Sequence, residues 1–107
     1  MNKEIKKKWL KALESGEYKK ACGRLKRGDG YCCLGVLTDL YNKEHERFKV
    51  TLDSGILSPV VMNWAGIDLE HSPLVDFYDE DGRNSLVNIN DSTDSFDEVI
   101  EAIRKYF

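Results

Sequence analysis

Apolar residues recur at helical spacing in several segments of this chain, and this periodicity restricts the possible folds more than any other feature of the sequence. Ile5, Trp9 and Leu13 recur every fourth residue, which places them on one face of a helix over residues 3–14. The same periodicity predicts a second helix over residues 33–43. Gly35 lies inside this helix, where glycine costs about 1 kcal/mol relative to alanine, so we expect another part of the chain to pack closely against it.

Two further helices are predicted from capping signals. Ser58 stands before a proline and predicts a short helix over residues 59–65. We expect this helix to bury Val60, Val61 and Trp64. Ser95 and Glu98 have the spacing of a capping box, which would begin the last helix. The apolar face of that helix consists of Phe96, Val99, Ile100, Ile103 and Phe107.

Between the helices the sequence favours short strands. Glycine spacing predicts a strand over residues 18–25 and a turn over 27–30. Residues 44–57 alternate between apolar and polar side chains, as a strand or an extended loop would. Residues 74–90 have the pattern of a β-hairpin around an Asp-Gly turn.

This order of elements predicts a single α+β domain over residues 1–107, with a small, mostly antiparallel sheet and about four helices. The predicted core is built on Trp9, Leu13, Leu37, Leu40, Trp64, Val99, Ile100 and Ile103.

The two ends of the chain carry opposite charge, although the net charge is only −3. Residues 1–27 contain ten basic and three acidic residues, a balance of +7, and residues 68–107 contain three basic and eleven acidic residues, a balance of −8. The two segments could be solvated faces, or could pair within one chain or between the chains of a homo-oligomer. Alternatively, the basic segment could meet phosphates or an acidic partner. The net acidity argues against dedicated nucleic-acid binding.

The apolar runs of the sequence are short. None approaches the length of a membrane span, and no apolar stretch follows the basic N-terminus as it would in a secretion signal. We therefore expect no membrane partner and a cytoplasmic location, in which thiols stay reduced.

Three cysteines, at positions 22, 32 and 33, are candidates for chemistry. A structural zinc site needs about four ligands, and the two histidines stand apart from the cysteines and from each other. Adjacent cysteines lack the Cys-x-x-Cys spacing of a redox pair, and no histidine lies in a motif that would support a nucleophile. The sequence therefore predicts no metal, no cofactor and no catalytic cysteine. At least one of Cys32 and Cys33 is expected to face the core.

Four motifs give the chain a resemblance to a known group of proteins. They are W-x-x-A-L-x-S-G-x-Y over residues 9–18, C-C-L-G-V-L-x-D-L over 32–40, L-x-P-x-V-x-x-W-x-G over 57–66, and a closing N-D-x-x-x-S-F before the last helix. Together they resemble a recurring family of small proteins of tailed bacteriophages and prophages. The chain departs from the pattern at Ile89, where leucine is usual, and at Thr38, where a third cysteine is common. The resemblance implies phage origin and a shared fold, and it implies no mechanism. Together with the cytoplasmic location expected above, it leads us to expect the protein in the host cytoplasm.

The glycine-rich turn holds the first group of candidate binding residues. Arginines and lysines beside glycine-rich backbone can bind phosphate, and tyrosines can stack on a base. The candidates here are Tyr18, Lys20, Arg24, Arg27 and Tyr31. An ordinary charged hairpin turn would explain the same residues, because the pattern of a phosphate-binding loop is missing.

Asn90 and Asp91 form the second group, before the last helix. Residues of this kind often only close turns. The functional alternative is that they bind ribose hydroxyls or the backbone of a partner.

Small phage proteins often act on host defence, so the sequence suggests two functions. The first is a non-enzymatic binder that sequesters a nucleotide-like signalling molecule. The second is an inhibitor of a host defence protein that acts through the acidic surface of residues 76–101. An enzyme ranks last, because no nucleophile–base pair and no metal cluster can be assembled from the sequence.

Overall fold

A computed structural model of the chain describes residues 1–68 and 85–107. Its helices in this part are α1 (Lys3–Glu14), α2 (Cys33–Glu44), α3 (Pro59–Ala65), α4 (Leu86–Ser92) and α5 (Asp97–Tyr106). Three two-residue strands lie between α1 and α2: β1 (Lys19–Lys20), β2 (Lys26–Arg27) and β3 (Gly30–Tyr31). The predicted α+β class is confirmed. No helix in the described ranges is long and apolar enough to span a membrane.

Helix α1 forms where the periodicity predicts it. Asn2 caps its start, since Asn2 Oδ1 accepts hydrogen bonds from the N–H groups of Glu4 and Ile5 at 2.9 and 3.1 Å. Its apolar face is buried, and the Trp9 indole N–H donates to the carbonyl oxygen of Cys33 at 2.9 Å. This bond attaches α1 to the first turn of α2.

Helix α2 begins at the adjacent cysteines, and both are buried in the core, as the prediction required of at least one. Cys32 occupies the N-cap position, and its sulfur accepts the N–H of Gly35 at 3.3 Å. The close contact expected at Gly35 is also present. A Cβ atom there would lie 1.7 Å from the carbonyl oxygen of Leu25, so only glycine fits.

The sheet is mixed rather than mostly antiparallel. Its strand order is β1-β3-β2, with β1 parallel and β2 antiparallel to β3. The predicted strand over 18–25 is shorter in the structure, where β1 has two residues. Gly23 takes a φ of 86°, and the chain crosses over here before it forms the β2–β3 hairpin. The predicted turn over 27–30 is that hairpin's loop.

The segment 44–57 is a loop after the last residue of α2, and it contains no strand. The Asn42 side chain holds this loop, because its Oδ1 accepts the N–H of Val50 and its Nδ2 donates to the carbonyl oxygen of the same residue, at 2.8 and 2.9 Å. These two bonds occupy the backbone groups of Val50. Further along the loop, the carbonyl oxygens of Leu52 and Ser54 accept the N–H groups of Lys26 and Leu25 at 3.2 and 2.9 Å.

Helix α3 has the predicted start and end. Ser58 Oγ accepts the N–H of Val60 at 3.2 Å, and Gly66 ends the helix with a φ of 72°. The predicted burial of its side chains is only partly correct. Val61 is buried and Trp64 is half-buried, whereas Val60 is 52% exposed.

Residues 86–92 are helical, so the second strand of the predicted hairpin is wrong. The first strand and its turn lie outside the described residues. Ser85 caps α4 by accepting the N–H of Asn88 at 3.1 Å, and Leu86 and Asn90 face the core four residues apart. Val87 and Ile89 favour a strand by their β-propensity. The burial of Leu86 and Asn90, four residues apart, outweighs this preference and favours the helix.

Helix α5 begins at Asp97, one residue later than the capping box requires. Ser95 Oγ accepts the N–H of Asp97 at 3.3 Å, and Phe96 stands at the N-cap without a capping bond. The predicted capping box with Glu98 is therefore wrong. Phe96 is only 7% exposed, so its burial fixes where the chain enters this helix.

The core contains most of the predicted residues. Leu40 and Trp64 are the exceptions, since both are half-buried at its edge. The remaining predicted members are buried: Trp9, Leu13, Leu37, Val99, Ile100 and Ile103.

Candidate functional site

The crossover between β1 and β2 forms one wall of an open cavity of about 450 Å³. We call it the arginine groove; its lining residues are Cys22, Gly23, Arg24 and Arg27. Both arginines are exposed, and neither has an ion-pair partner in the described part of the chain. The groove therefore offers two free guanidinium groups, each able to bind an anion through two N–H donors.

Several other cations of the described residues already have ion-pair partners. Lys8 pairs with Glu44 at 2.8 Å, and Lys19 pairs with Asp29 at 3.0 Å. Arg104 pairs with Glu14. Free guanidinium groups in a concave surface thus set the arginine groove apart from these paired basic side chains.

A second cavity, of about 40 Å³, adjoins the groove at Gly23 and Arg24. We call it the aspartate cavity after Asp91, the carboxylate among its described lining residues; it is also lined by Cys32, Gly55, Val87 and Asn90. Its volume is close to that of one or two water molecules. The cavity can admit hydroxyl groups but not a ring.

Asn90 is fully buried, and its amide joins three segments of the chain. Its Oδ1 accepts the N–H of Cys33 at 3.1 Å, and its Nδ2 donates to the carbonyl oxygen of Ala21 at 2.9 Å. The same Nδ2 also lies 3.2 Å from Asp91 Oδ1. Asn90 thus positions the walls of the aspartate cavity, and its polar atoms are occupied by the protein itself.

Lys20 is also engaged within the fold. Its ammonium group donates to the carbonyl oxygen of Thr93 and to the sulfur of Cys22, the latter at 3.5 Å. These contacts attach β1 to the end of α4. Lys20 therefore adds positive charge next to the groove without lining it.

The two tyrosines lie together, away from the arginine groove. Their rings meet edge to face with centroids 5.0 Å apart. The Tyr18 hydroxyl donates to Asp39 Oδ2 at 2.5 Å and accepts from Lys43 Nζ at 3.1 Å. Burial, followed by the bond to Asp39, raises the pKa of Tyr18 above its ordinary value. We call these four residues, Tyr18, Tyr31, Asp39 and Lys43, the tyrosine cluster.

The tyrosine cluster borders a different cavity. Tyr18 and Lys20 line a groove of about 370 Å³ between the end of α1 and the start of α5. Neither tyrosine lines the arginine groove, so in this conformation neither ring stands where it could stack on a base held there.

The structure thus divides the seven predicted site residues among three places. Arg24 and Arg27 share the arginine groove, and Arg24 also shares the aspartate cavity with Asn90 and Asp91. Tyr18, Tyr31 and Lys20 lie elsewhere.

The sequence prediction missed Cys22 as part of the groove, and missed the partners of Tyr18. A lone cysteine gave no signal. Asp39 and Lys43, however, are four residues apart on one helix, which is the spacing of a helical ion pair and could have been recognised. In residues 1–68 and 85–107 no group of three or more His, Cys, Asp or Glu side chains could hold a metal ion.

Comparison with known proteins gives one match. The model of a family described as a domain of unknown function, DUF8296, matches residues 1–107. No curated protein and no solved structure matches the chain.

Proposed function

We propose that this chain, which belongs to the DUF8296 family, is a phage-encoded, non-enzymatic protein that targets host defence by sequestering a nucleotide-like signalling molecule. The proposed origin and location, a phage protein in the host cytoplasm, rest on the four motifs that resemble tailed-phage proteins. The proposed activity rests on the arginine groove, where two exposed arginines that have no ion-pair partner among the described residues line one concave surface.

The chemistry of this groove suits a phosphate group. Planar guanidinium groups match phosphate oxygens, and a cavity of about 450 Å³ falls within the range of small-molecule sites. Gly23 lines the groove without a side chain, and the space that a Cβ atom would occupy there is open, with no other atom within 4 Å. Among the described residues that line the groove there is no histidine or carboxylate that could act as a base, so these side chains favour binding over reaction.

Calorimetry of the purified protein against a panel of cyclic nucleotides and ADP-ribose derivatives tests the proposal. We expect saturable binding of at least one compound, weakened roughly ten- to a hundredfold by Arg24→Ala or Arg27→Ala. Arg47→Ala is the matched control, because Arg47 is also exposed but lines a cavity formed by residues 43–48. Failure of the whole panel to bind, or equal binding by all three variants, would rule out the sequestering function.

A second function is supported by a separate observation. Asp94, Asp97, Glu98 and Glu101 are exposed, and none of them has an ion-pair partner within the described ranges. An acidic surface of this kind can speed association with a basic partner, so the alternative is an inhibitor of a host defence protein. The part of the predicted acidic surface that includes Asp79, Glu80 and Asp81 lies outside the described residues.

Charge reversal separates the two functions. For an inhibitor, Asp94→Lys with Glu101→Lys should slow binding of a co-purifying host protein, most strongly at low salt, while Arg24→Ala has no effect. For a sequestering protein we expect the opposite result: Arg24→Ala weakens ligand binding, and charge reversal at Asp94 and Glu101 has little effect. Melting temperatures of all variants show whether the fold is retained.

A further inference from the structure

The aspartate cavity supplies a hydrogen-bond acceptor beside the anion-binding groove. We propose that Asp91 Oδ2 accepts hydrogen bonds from the vicinal hydroxyls of the ligand's sugar, so that the ligand is a ribonucleotide with its phosphate at the arginines and its ribose at Asp91. This inference rests on the proposed sequestering function and names the class of ligand.

The Asp91 carboxylate is held in place before any ligand binds. Its Oδ1 accepts the N–H of Gly23 at 3.4 Å and the Asn90 amide at 3.2 Å. In the ranges that the structure describes, Oδ2 has no hydrogen-bond partner. A carboxylate oxygen has two lone pairs, which matches the two O–H donors of a vicinal diol. Fixing Oδ1 leaves Oδ2 as the acceptor.

The order of charges along the site sets the direction of the ligand. Of these two cavities, Arg27 lines the arginine groove, Asp91 lines the aspartate cavity, and Arg24 lines both. A phosphate is attracted at the Arg27 end and repelled by the carboxylate at the other. The end of the ligand at Asp91 must therefore carry hydrogen-bond donors.

The volume of the aspartate cavity limits what can enter it. About 40 Å³ accommodates a pair of hydroxyl groups, while a furanose ring must remain in the larger groove of about 450 Å³. A sugar that projects two adjacent hydroxyls from its edge fits this combination. Inorganic phosphate satisfies only the arginines.

Asn90 has a positioning role in this arrangement. The sequence suggested that both Asn90 and Asp91 contact ribose, but the Asn90 amide is buried and bonded to Cys33, Ala21 and Asp91. Asp91 is exposed, so it is the residue of the pair that can reach a ligand.

The test compares ADP, 2′-deoxy-ADP and 2′,3′-dideoxy-ADP by calorimetry on the wild type and on Asp91→Asn. We expect the wild type to bind ADP most tightly and to lose about tenfold or more in affinity when both hydroxyls are absent. Asp91→Asn should reduce the preference for ADP while retaining dideoxy-ADP binding, since the arginines remain. Asp94→Asn is the control, because Asp94 is exposed but lines neither cavity.

Two kinds of failure can be told apart. Equal affinity for the three nucleotides, an unchanged preference in Asp91→Asn, or no binding of ADP would each overturn the ribose inference. If Arg24→Ala still weakens binding of another phosphate-bearing compound of the panel, the proposed sequestering function survives that result. If no compound binds at all, both fail.

Discussion

At the scale of single residues, the buried amide of Asn90 has the widest effect, because it bonds to segments that are far apart in sequence. Its partners are the N–H of Cys33 and the carbonyl oxygen of Ala21. Replacement by a side chain without polar atoms leaves a buried donor and a part-buried acceptor without their partner. Each such group costs about 1–3 kcal/mol.

We therefore expect Asn90→Ala to lower the free energy of unfolding by about 2–4 kcal/mol, measured by urea denaturation. Asn88→Ala is the control, because its side chain makes no hydrogen bond within the described residues. Equal stability of Asn90→Ala and wild type would show that the amide is not needed to join these segments.

Cys33 predicts a pH dependence of stability. Complete burial, followed by the neighbouring Cys32, raises the pKa of the Cys33 thiol well above its ordinary value of 9.0. Above pH 9 the unfolded chain releases this proton while the folded protein retains it, so stability falls as pH rises, by up to about 1.4 kcal/mol per pH unit.

Cys33→Ala removes this thiol. At pH 7 the variant should be less stable than the wild type by roughly 1 kcal/mol, because a small void remains. The difference should shrink or reverse by pH 10, as measured by denaturation at both pH values. A constant difference would contradict the assigned cause.

At the scale of elements, the start of α2 depends on an unusual cap. The sulfur of Cys32 accepts the N–H of Gly35, although oxygen side chains are the stronger caps at this position. Cys32→Ser should retain the cap, whereas Cys32→Ala should be less stable than Cys32→Ser by about 0.5–2 kcal/mol. Thermal unfolding of the two variants measures this difference, and the opposite order would show that packing of the sulfur outweighs capping.

Helices with signals in their own sequence were predictable, and elements decided by distant contacts were not. Helices α1 and α3 carry an apolar periodicity or a serine cap and glycine stop within their own residues. The apolar pattern of α4 predicts a strand, although Ser85 caps it as a helix. The bonds of Asn90 to residues 21 and 33, which hold this helix against the core, have no signal in the local sequence. The short β1 likewise pairs in parallel with β3, which no local pattern indicates.

At the scale of the whole molecule, Trp9 connects the packing of the N-terminal and C-terminal helices. It is completely buried, bonds to the carbonyl oxygen of Cys33, and meets the ring of Phe107 edge to face with centroids 6.2 Å apart. Trp9→Ala should cost about 3–5 kcal/mol, enough to unfold much of the population of a small domain.

Trp9→Phe keeps most of the ring packing and removes the indole donor, so we expect a smaller loss of about 1–3 kcal/mol. Chemical denaturation of both variants tests the order. A Trp9→Ala protein as stable as the wild type would contradict the assigned core.

The opposite charges at the two ends of the chain are mainly solvated faces in the described structure. Within the described residues, Arg104 of the acidic C-terminal segment forms an ion pair with Glu14 of the basic N-terminal segment. In this pair each residue carries the charge opposite to that of its own segment. Composition therefore showed the charge asymmetry but not its arrangement.

Of the predicted site, the arginines could be placed together because they are three residues apart. The separation of Tyr18 from them could not be predicted, because it depends on Asp39 and Lys43 of α2.

The three-way bond of the Asn90 side chain also has a consequence for the order of folding. During synthesis residues 21 and 33 leave the ribosome long before residue 90, so α1, the strands and α2 can assemble while one buried N–H group still lacks its acceptor. Synthesis at about 5–20 residues per second is slow compared with forming a helix, so these earlier elements have time to form before residue 90 emerges. Helix α4 should therefore dock late, and the aspartate cavity, which needs Asn90 and Asp91 for one wall, should be among the last features of the nascent protein to form.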